Sequence, residues 1–243
     1  MSFIITVYVP GAIVMASDSR QFITVEGVKP DGTPLPKLET VGSDFVYKTF
    51  LLKKQPVGIS TFGESILGKV SVESHINKFH EEELEDTDDI FTVSKKLLPY
   101  FRGISPKADT GFHIAGFRKE GKTSVPYVFY CHVGRNEIVR SNSNPKSHEV
   151  IFGATWSGQI DVISSVVLPA FDNKGVQLPK PPIIWDAMTI QDAIQFAIYA
   201  VRITIDTMRY QARPKNVGGA IDVLLLTLDN EPQWIQRKEY GGS

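Results

Sequence analysis

The chain has 243 residues, 42% apolar and 22% charged, with a formal net charge of -1 and a single cysteine, Cys131. Interspersed charges of both signs give no field for nucleic acid or an anionic membrane. A lone cysteine excludes an internal disulfide and any multi-cysteine metal site, and suits a reducing compartment. The opening Met-Ser-Phe-Ile-Ile-Thr-Val has no basic leader or cleavage site, and no apolar run reaches the length of a membrane span, so the expected location is the cytoplasm.

Residues 3–9 and 12–19 are β-branched or apolar runs parted by Pro10-Gly11, a hairpin signal. Strand 3–9 carries Phe3, Ile5, Val7 and Val9 on one face and Ile4 and Tyr8 on the other, as a sheet covered on both sides requires. Residues 21–44, rich in Gly, Pro and charge, read as an excursion or an extended hairpin loop. Strands over 45–52 and 56–62 follow, then helices over 64–84 and 90–102; the acidic run from Glu81 to Asp89 between them reads as a solvated face. Strands at 110–118, 126–133 and 137–140 precede a helix over 154–168 and a proline-rich connection.

The longest helix starts after Thr189, which with Asp192 matches a capping box. Its apolar positions from Ala193 to Met208 recur at helical spacing and are core, not a cofactor box. Strands 220–228 and 233–238 and a loose Gly-Gly-Ser tail close the sequence. Without a repeat or linker, 1–243 is expected to be one domain. The order of elements predicts an α+β fold in which two antiparallel sheets stack face to face with helix layers outside.

Most familiar chemistry lacks its residues. The five histidines show no metal-binding spacing, and His75 and His80 diverge on a helix. Gly58-Ile59-Ser60-Thr61-Phe62-Gly63 misses the nucleophile-elbow pattern by one residue, and no glycine-rich loop precedes a phosphate-binding lysine. Neither a metal nor an organic cofactor is expected.

The N-terminal hairpin offers something else. Ser2 follows Met1, and removal of Met1 would give Ser2 a free α-amine beside its own hydroxyl. Such an amine, with a pKa of about 8, can act as general base to that hydroxyl. A three-residue hairpin loop would set Ser2 opposite Asp18, whereas a loop of Pro10-Gly11 alone would set it opposite Ser19. The catalytic reading requires the first register or a bulge that restores it. Lys48, flanked by apolar positions, either pairs with Asp18 or is an edge lysine reaching water.

Gly-Ala-Ile-Val-Met-Ala-Ser-Asp-Ser-Arg at 11–20 resembles the Gly-apolar-Ala-x-Asp-Ser-Arg stretch of proteasome β subunits and their simpler bacterial relatives. The resemblance runs through nearly the whole chain and implies a four-layer αββα N-terminal-nucleophile (Ntn) hydrolase fold. It places Ser2 on the family's nucleophile, after a single methionine, with Asp18 and Lys48 on its catalytic pair, Lys37 and Lys29 as alternatives for the lysine, and Arg20 as companion. It further implies Gly63, at a helix start, as oxyanion donor, and Phe22 and Thr61 in the substrate pocket. The 22–44 segment becomes an insertion. The family nucleophile is threonine, its supporting serines align with Ala154 and Val217, and the aspartate that partners the second has no clear match.

The function so implied is hydrolysis of amide bonds in a peptide or unfolded protein by a homo-oligomeric ring. A catalytically inactive ring or scaffold subunit is the alternative, told apart by whether Met1 remains in the intact mass. A stand-alone small-molecule amidase or peptide ligase of the same fold is a second alternative, told apart by native mass.

Overall fold

The computed structural model describes residues 2–25, 27–52 and 54–239; Met1, whose removal the catalytic reading needs, and the Gly-Gly-Ser tail lie outside the described residues. The strands are β1 Phe3–Val9, β2 Ala12–Ser17, β3 Gln21–Val25, β4 Leu38–Ser43, β5 Thr49–Leu51, β6 Gly58–Gly63, β7 Ile66–Leu67 and β8 Val70–Ser71. After helices α1 Val72–Glu82 and α2 Ile90–Ile104 come β9 Thr110–Glu120, β10 Thr123–His132, β11 Glu137–Arg140 and β12 Gly153–Gly158. Helices α3 Asp161–Val167 and α4 Ile190–Tyr210 and strands β13 Asp222–Thr227 and β14 Gln233–Gln236 complete the order. The fold is mixed α/β with antiparallel sheets and, among the described residues, four α-helices.

One five-stranded sheet runs β12-β1-β2-β13-β14 and the other β11-β10-β9-β6-β5. Phe3, Ile5, Val7 and Val9 pack with Ala193, Ala197 and other α4 residues. Tyr8, Ile13 and Met15 meet Ala115 and Val128 of the other sheet. β1 is therefore apolar on both faces for the reason its sequence implies: each face is covered. A second cluster sets Phe79 of α1 and Phe101 of α2 against Phe112 and Ile114 of β9. At α4 the capping box forms as expected, Thr189 Oγ1 accepting from Asp192 N at 3.2 Å and Thr189 N donating to Asp192 Oδ2 at 3.1 Å.

Two segments differ from expectation. Residues 64–71 form the small β7–β8 hairpin instead of the first turns of a helix; Gly68 and Lys69, at φ 56° and 70°, make its turn, and Ser71 caps α1. Residues 153–158 form a strand instead of a helix, because pairing with β1 recruits them and Gly158 at φ 89° ends the run before α3. Residues 21–44 take the extended-hairpin form of the two expected: β3 and β4 pair as a ribbon that exposes Val25, Leu38 and Val41.

A buried polar chain ties the two sheets. His113 of β9 bonds Thr6 Oγ1 of β1 through Nδ1 at 3.0 Å and Ser157 Oγ of β12 through Nε2 at 2.9 Å. Burial holds the His113 imidazole down to about 3 from an ordinary 6.5. The unfolded chain therefore takes up this proton first as pH falls. The resulting stability is complete above about 6.5 and drains away between there and about 3. His113→Gln should flatten that acid loss; melting temperatures of both proteins from pH 7.5 to 4.5 will check it, and parallel curves would refute it.

Candidate active site

The β1–β2 hairpin fixes the site's first two residues. Its register, with Val9 opposite Ala12 and Ile4 opposite Ser17, is that of the Pro10-Gly11 loop. Proline followed by Gly11 at φ 81° suits a type II turn, which explains the shorter loop. Asp18 N donates to Phe3 O at 3.2 Å, so Asp18 lies opposite Phe3 and not opposite Ser2. The register that the catalytic reading asked for is not the one found. The carboxylate instead reaches back to the Phe3 amide beside Ser2, Oδ1 accepting from Phe3 N at 3.0 Å.

Asp18 is wholly buried and fully engaged. Oδ1 also accepts from Lys48 Nζ at 2.7 Å, while Oδ2 accepts from Gly218 N at 3.0 Å and Arg20 N at 3.2 Å. Lys48 sits just ahead of β5, its carbonyl accepting from Thr61 N at 2.8 Å, so its backbone continues the β5–β6 pairing. Its side chain is 4% exposed and donates also to Arg20 O at 2.7 Å, which disposes of the edge-lysine alternative. Burial pushes the ammonium below its ordinary value; Asp18 opposes this, and Lys238 and Arg20 add to it. Arg20 clamps Asp44 with both arms, at 2.6 and 2.9 Å, and donates to Lys215 O at 3.0 Å. Its hydrogen bonds to Asp44 hold the guanidinium above its ordinary value.

Ser2, Arg20, Phe22, Lys48, Thr61 and Gly63 all line one cavity of about 670 Å³, and Asp18 is linked to it through Lys48. The side chain of Thr61 is buried, and its hydroxyl has no hydrogen-bond partner among the described residues. Gly63 ends β6 and opens no helix, since α1 begins at Val72; a helix dipole at its N–H is therefore absent. At φ 90°, a Cβ there would overlap the Asp109 carbonyl, which is why glycine stands at this position.

The turn Ser157-Gly158-Gln159 is not anticipated in the sequence: the resemblance sets the supporting-serine position at Ala154, which lies in β12, and residues 154–168 read as helix. Gly158 lies opposite Phe3, a Cβ on it would overlap the Ser2 carbonyl, and Gln159 N donates to that carbonyl at 2.7 Å. The dipeptide Ser157-Gly158, ahead of an acid at Asp161, is the signal for a strand end and helix start that could have revealed it. Val217 is buried beside Gly218. Asn216 Nδ2 reaches Gln159 Oε1 at 3.1 Å and so joins the two loops behind Ser2.

No protein-family model and no curated protein matches the chain. Among solved structures the fold is similar to Anbu from Hyphomicrobium sp. strain MC1, at 14% identity and a TM-score of 0.57 over 98% of this chain and 88% of that one. It is likewise similar to Anbu (ancestral beta-subunit) from Yersinia bercovieri, at 12% identity and a TM-score of 0.57 over the same shares. A Gly-1 mutant of the Hyphomicrobium protein aligns at 13% identity and a TM-score of 0.55, covering 98% and 86%. These likenesses show the fold. They also correct the family drawn from residues 11–20: the likeness shown is to Anbu, and one to proteasome β subunits is not shown.

Removing Asp18 and removing Lys48 should have unequal effects on stability. Asp18→Leu strips an acceptor from three amides and strands a buried ammonium, costing about 3–5 kcal/mol. Lys48→Met leaves the carboxylate held by those amides and should cost less than half as much. Urea unfolding at pH 7 checks the order, and equal losses would refute it.

Proposed function

We propose that this chain is an Ntn hydrolase that cleaves peptide amide bonds through Ser2 after removal of Met1. The observation that carries this reading is the buried Lys48–Asp18 couple, bonded to the backbone amide next to Ser2 and lining, through Lys48, the same cavity as Ser2. Ser2 Oγ attacks the substrate carbonyl carbon while its proton passes to the freed α-amine, directly or through water. The Lys48 ammonium favours the ionised hydroxyl. The Gly63 N–H holds the oxyanion as the backbone turns at φ 90°. Collapse of the tetrahedral intermediate expels the amine, which takes the proton, and water then hydrolyses the Ser2 ester.

Phe22 and Thr61 line the space that takes the substrate side chain. In this reading residues 1–243 are one unit with four layers, helix, sheet, sheet and helix. The packing of α4 on one sheet, of α1 and α2 on the other, and of the sheets on each other supports it. The chain works as a subunit of a homo-oligomer; the Yersinia neighbour is itself named an "ancestral beta-subunit". A non-catalytic subunit is the second reading, favoured by the apolar Val217 beside the glycine that anchors Asp18.

An epoxyketone, which closes on both the amine and the hydroxyl of an N-terminal nucleophile, separates the two. The expected result is an adduct mapped to Ser2 in protein lacking Met1, absent from Ser2→Ala and from Lys48→Ala. Protein that keeps Met1 throughout and takes no label would establish the second reading. Labelling that survives in folded Lys48→Ala would remove Lys48 from the mechanism.

A further inference from the structure

A second lysine–carboxylate couple lies behind the first. Past β14 the chain runs alongside Tyr47, the residue before Lys48 and itself part of the cavity wall. Tyr47 donates its hydroxyl proton to the Lys238 carbonyl at 2.9 Å, and the Lys238 ammonium stands 4.2 Å from the centre of the same ring. That ammonium is ion-paired to Asp222 Oδ2, and Lys238 N donates to Asp222 Oδ1 at 2.9 Å. Asp222 is wholly buried on β13, opposite Ser17 and so one residue along from Asp18. The Arg237 guanidinium lies 5.1 Å from the Tyr47 ring and 4.0 Å from that of Trp234, holding the segment from its outer side.

We propose that Lys238 is a positioning residue for the Ser2 chemistry: paired with Asp222, it fixes Tyr47 and hence the backbone carrying Lys48, and it sets a second positive charge behind the Lys48 ammonium. Two buried cations close together are unfavourable unless each has its own carboxylate, and here each does, Asp18 for Lys48 and Asp222 for Lys238. The charged groups acting on Lys48 are Asp18, which holds its proton, and Lys238 and Arg20, which loosen it; Asp44, bound to Arg20, also feels the Lys48 charge directly. Lys238 is itself pushed down by burial and held up by Asp222. A cation in this place keeps Lys48 nearer to release than Asp18 alone would allow. A simple structural tether between the C-terminal segment and Tyr47 would have no such effect.

This inference rests on the reading of Ser2 as nucleophile, so its test has one arm that needs no catalysis. In protein carrying ε-13C lysine, the Lys48 resonance, assigned with Lys48→Ala, is titrated in the wild type and in Lys238→Met/Asp222→Asn, which removes both charges. Lys48 should lose its proton at higher pH in the double variant, and the alkaline limb of peptide hydrolysis should move the same way. Lys238→Arg keeps the charge and should restore the wild-type limb. Should the double variant not fold, Lys238→Gln, which retains an amide donor for Asp222, takes its place. A Lys48 titration unmoved in a folded variant overturns the role of Lys238. Wild-type protein that hydrolyses nothing at any pH overturns the reading of Ser2 instead, with the Lys48 titration still deciding the inference.

Discussion

An ammonium and a carboxylate withdrawn together from water constrain everything around them. Asp18 could not remain charged in its position without donors on both oxygens, and it draws these from the start of β1, from its own chain two residues on, from the Gly218 loop and from Lys48. Three backbone amides and one side-chain ammonium, drawn from four places along the chain, are thereby fixed to one side chain. Lys48 in turn needs a second acceptor and takes the Arg20 carbonyl. Arg20, bound to Asp44, anchors the root of the β3–β4 ribbon. The geometry of the cavity is thus an outcome of satisfying one buried charge pair.

Around this pair the polar interior is laid out in short chains between the sheets. Ser17, Thr49 and Ser60 hydrogen-bond in series at 2.9 Å, and Thr6, His113 and Ser157 do so on the β12 side. Each chain crosses from one sheet to the other. Hydrophobic packing alone would let the sheets slide at modest cost, whereas directional bonds in a dry interior do not. Ser2 of the cavity wall precedes β1, and Thr61 and Gly63 belong to β6 of the other sheet, so these crossings hold β1 and β6 at a set separation.

Much of this was legible in the residues themselves. The continuous β-branched run of β1 and the Thr189–Asp192 cap are local signals that tertiary contacts reinforce. Legibility failed where long-range pairing overrides local preference. Residues 153–158 become a strand because β1 offers an open edge, and residues 64–71 double back on themselves before the helix begins. Ser2, Asp18 and Arg20 were legible from the hairpin and from a stretch of ten residues. The depth of Lys48, and the couple formed by Lys238 and Asp222, were not, since ion pairs across 30 and 16 positions leave no pattern in sequence.

The tight turn at Pro10-Gly11 has one last implication. Because side chains alternate along β1, the residue count between Ser2 and that turn decides which way Ser2 points. With the present count Ser2 shares the side of Ile4, Thr6 and Tyr8, toward the opposite sheet. A single residue inserted into β1 would rotate Ser2 onto the flank where α4 lies and bring an aliphatic neighbour round in its stead. The hairpin therefore acts as a parity gauge, so that β1 can vary in composition but not in length by an odd step.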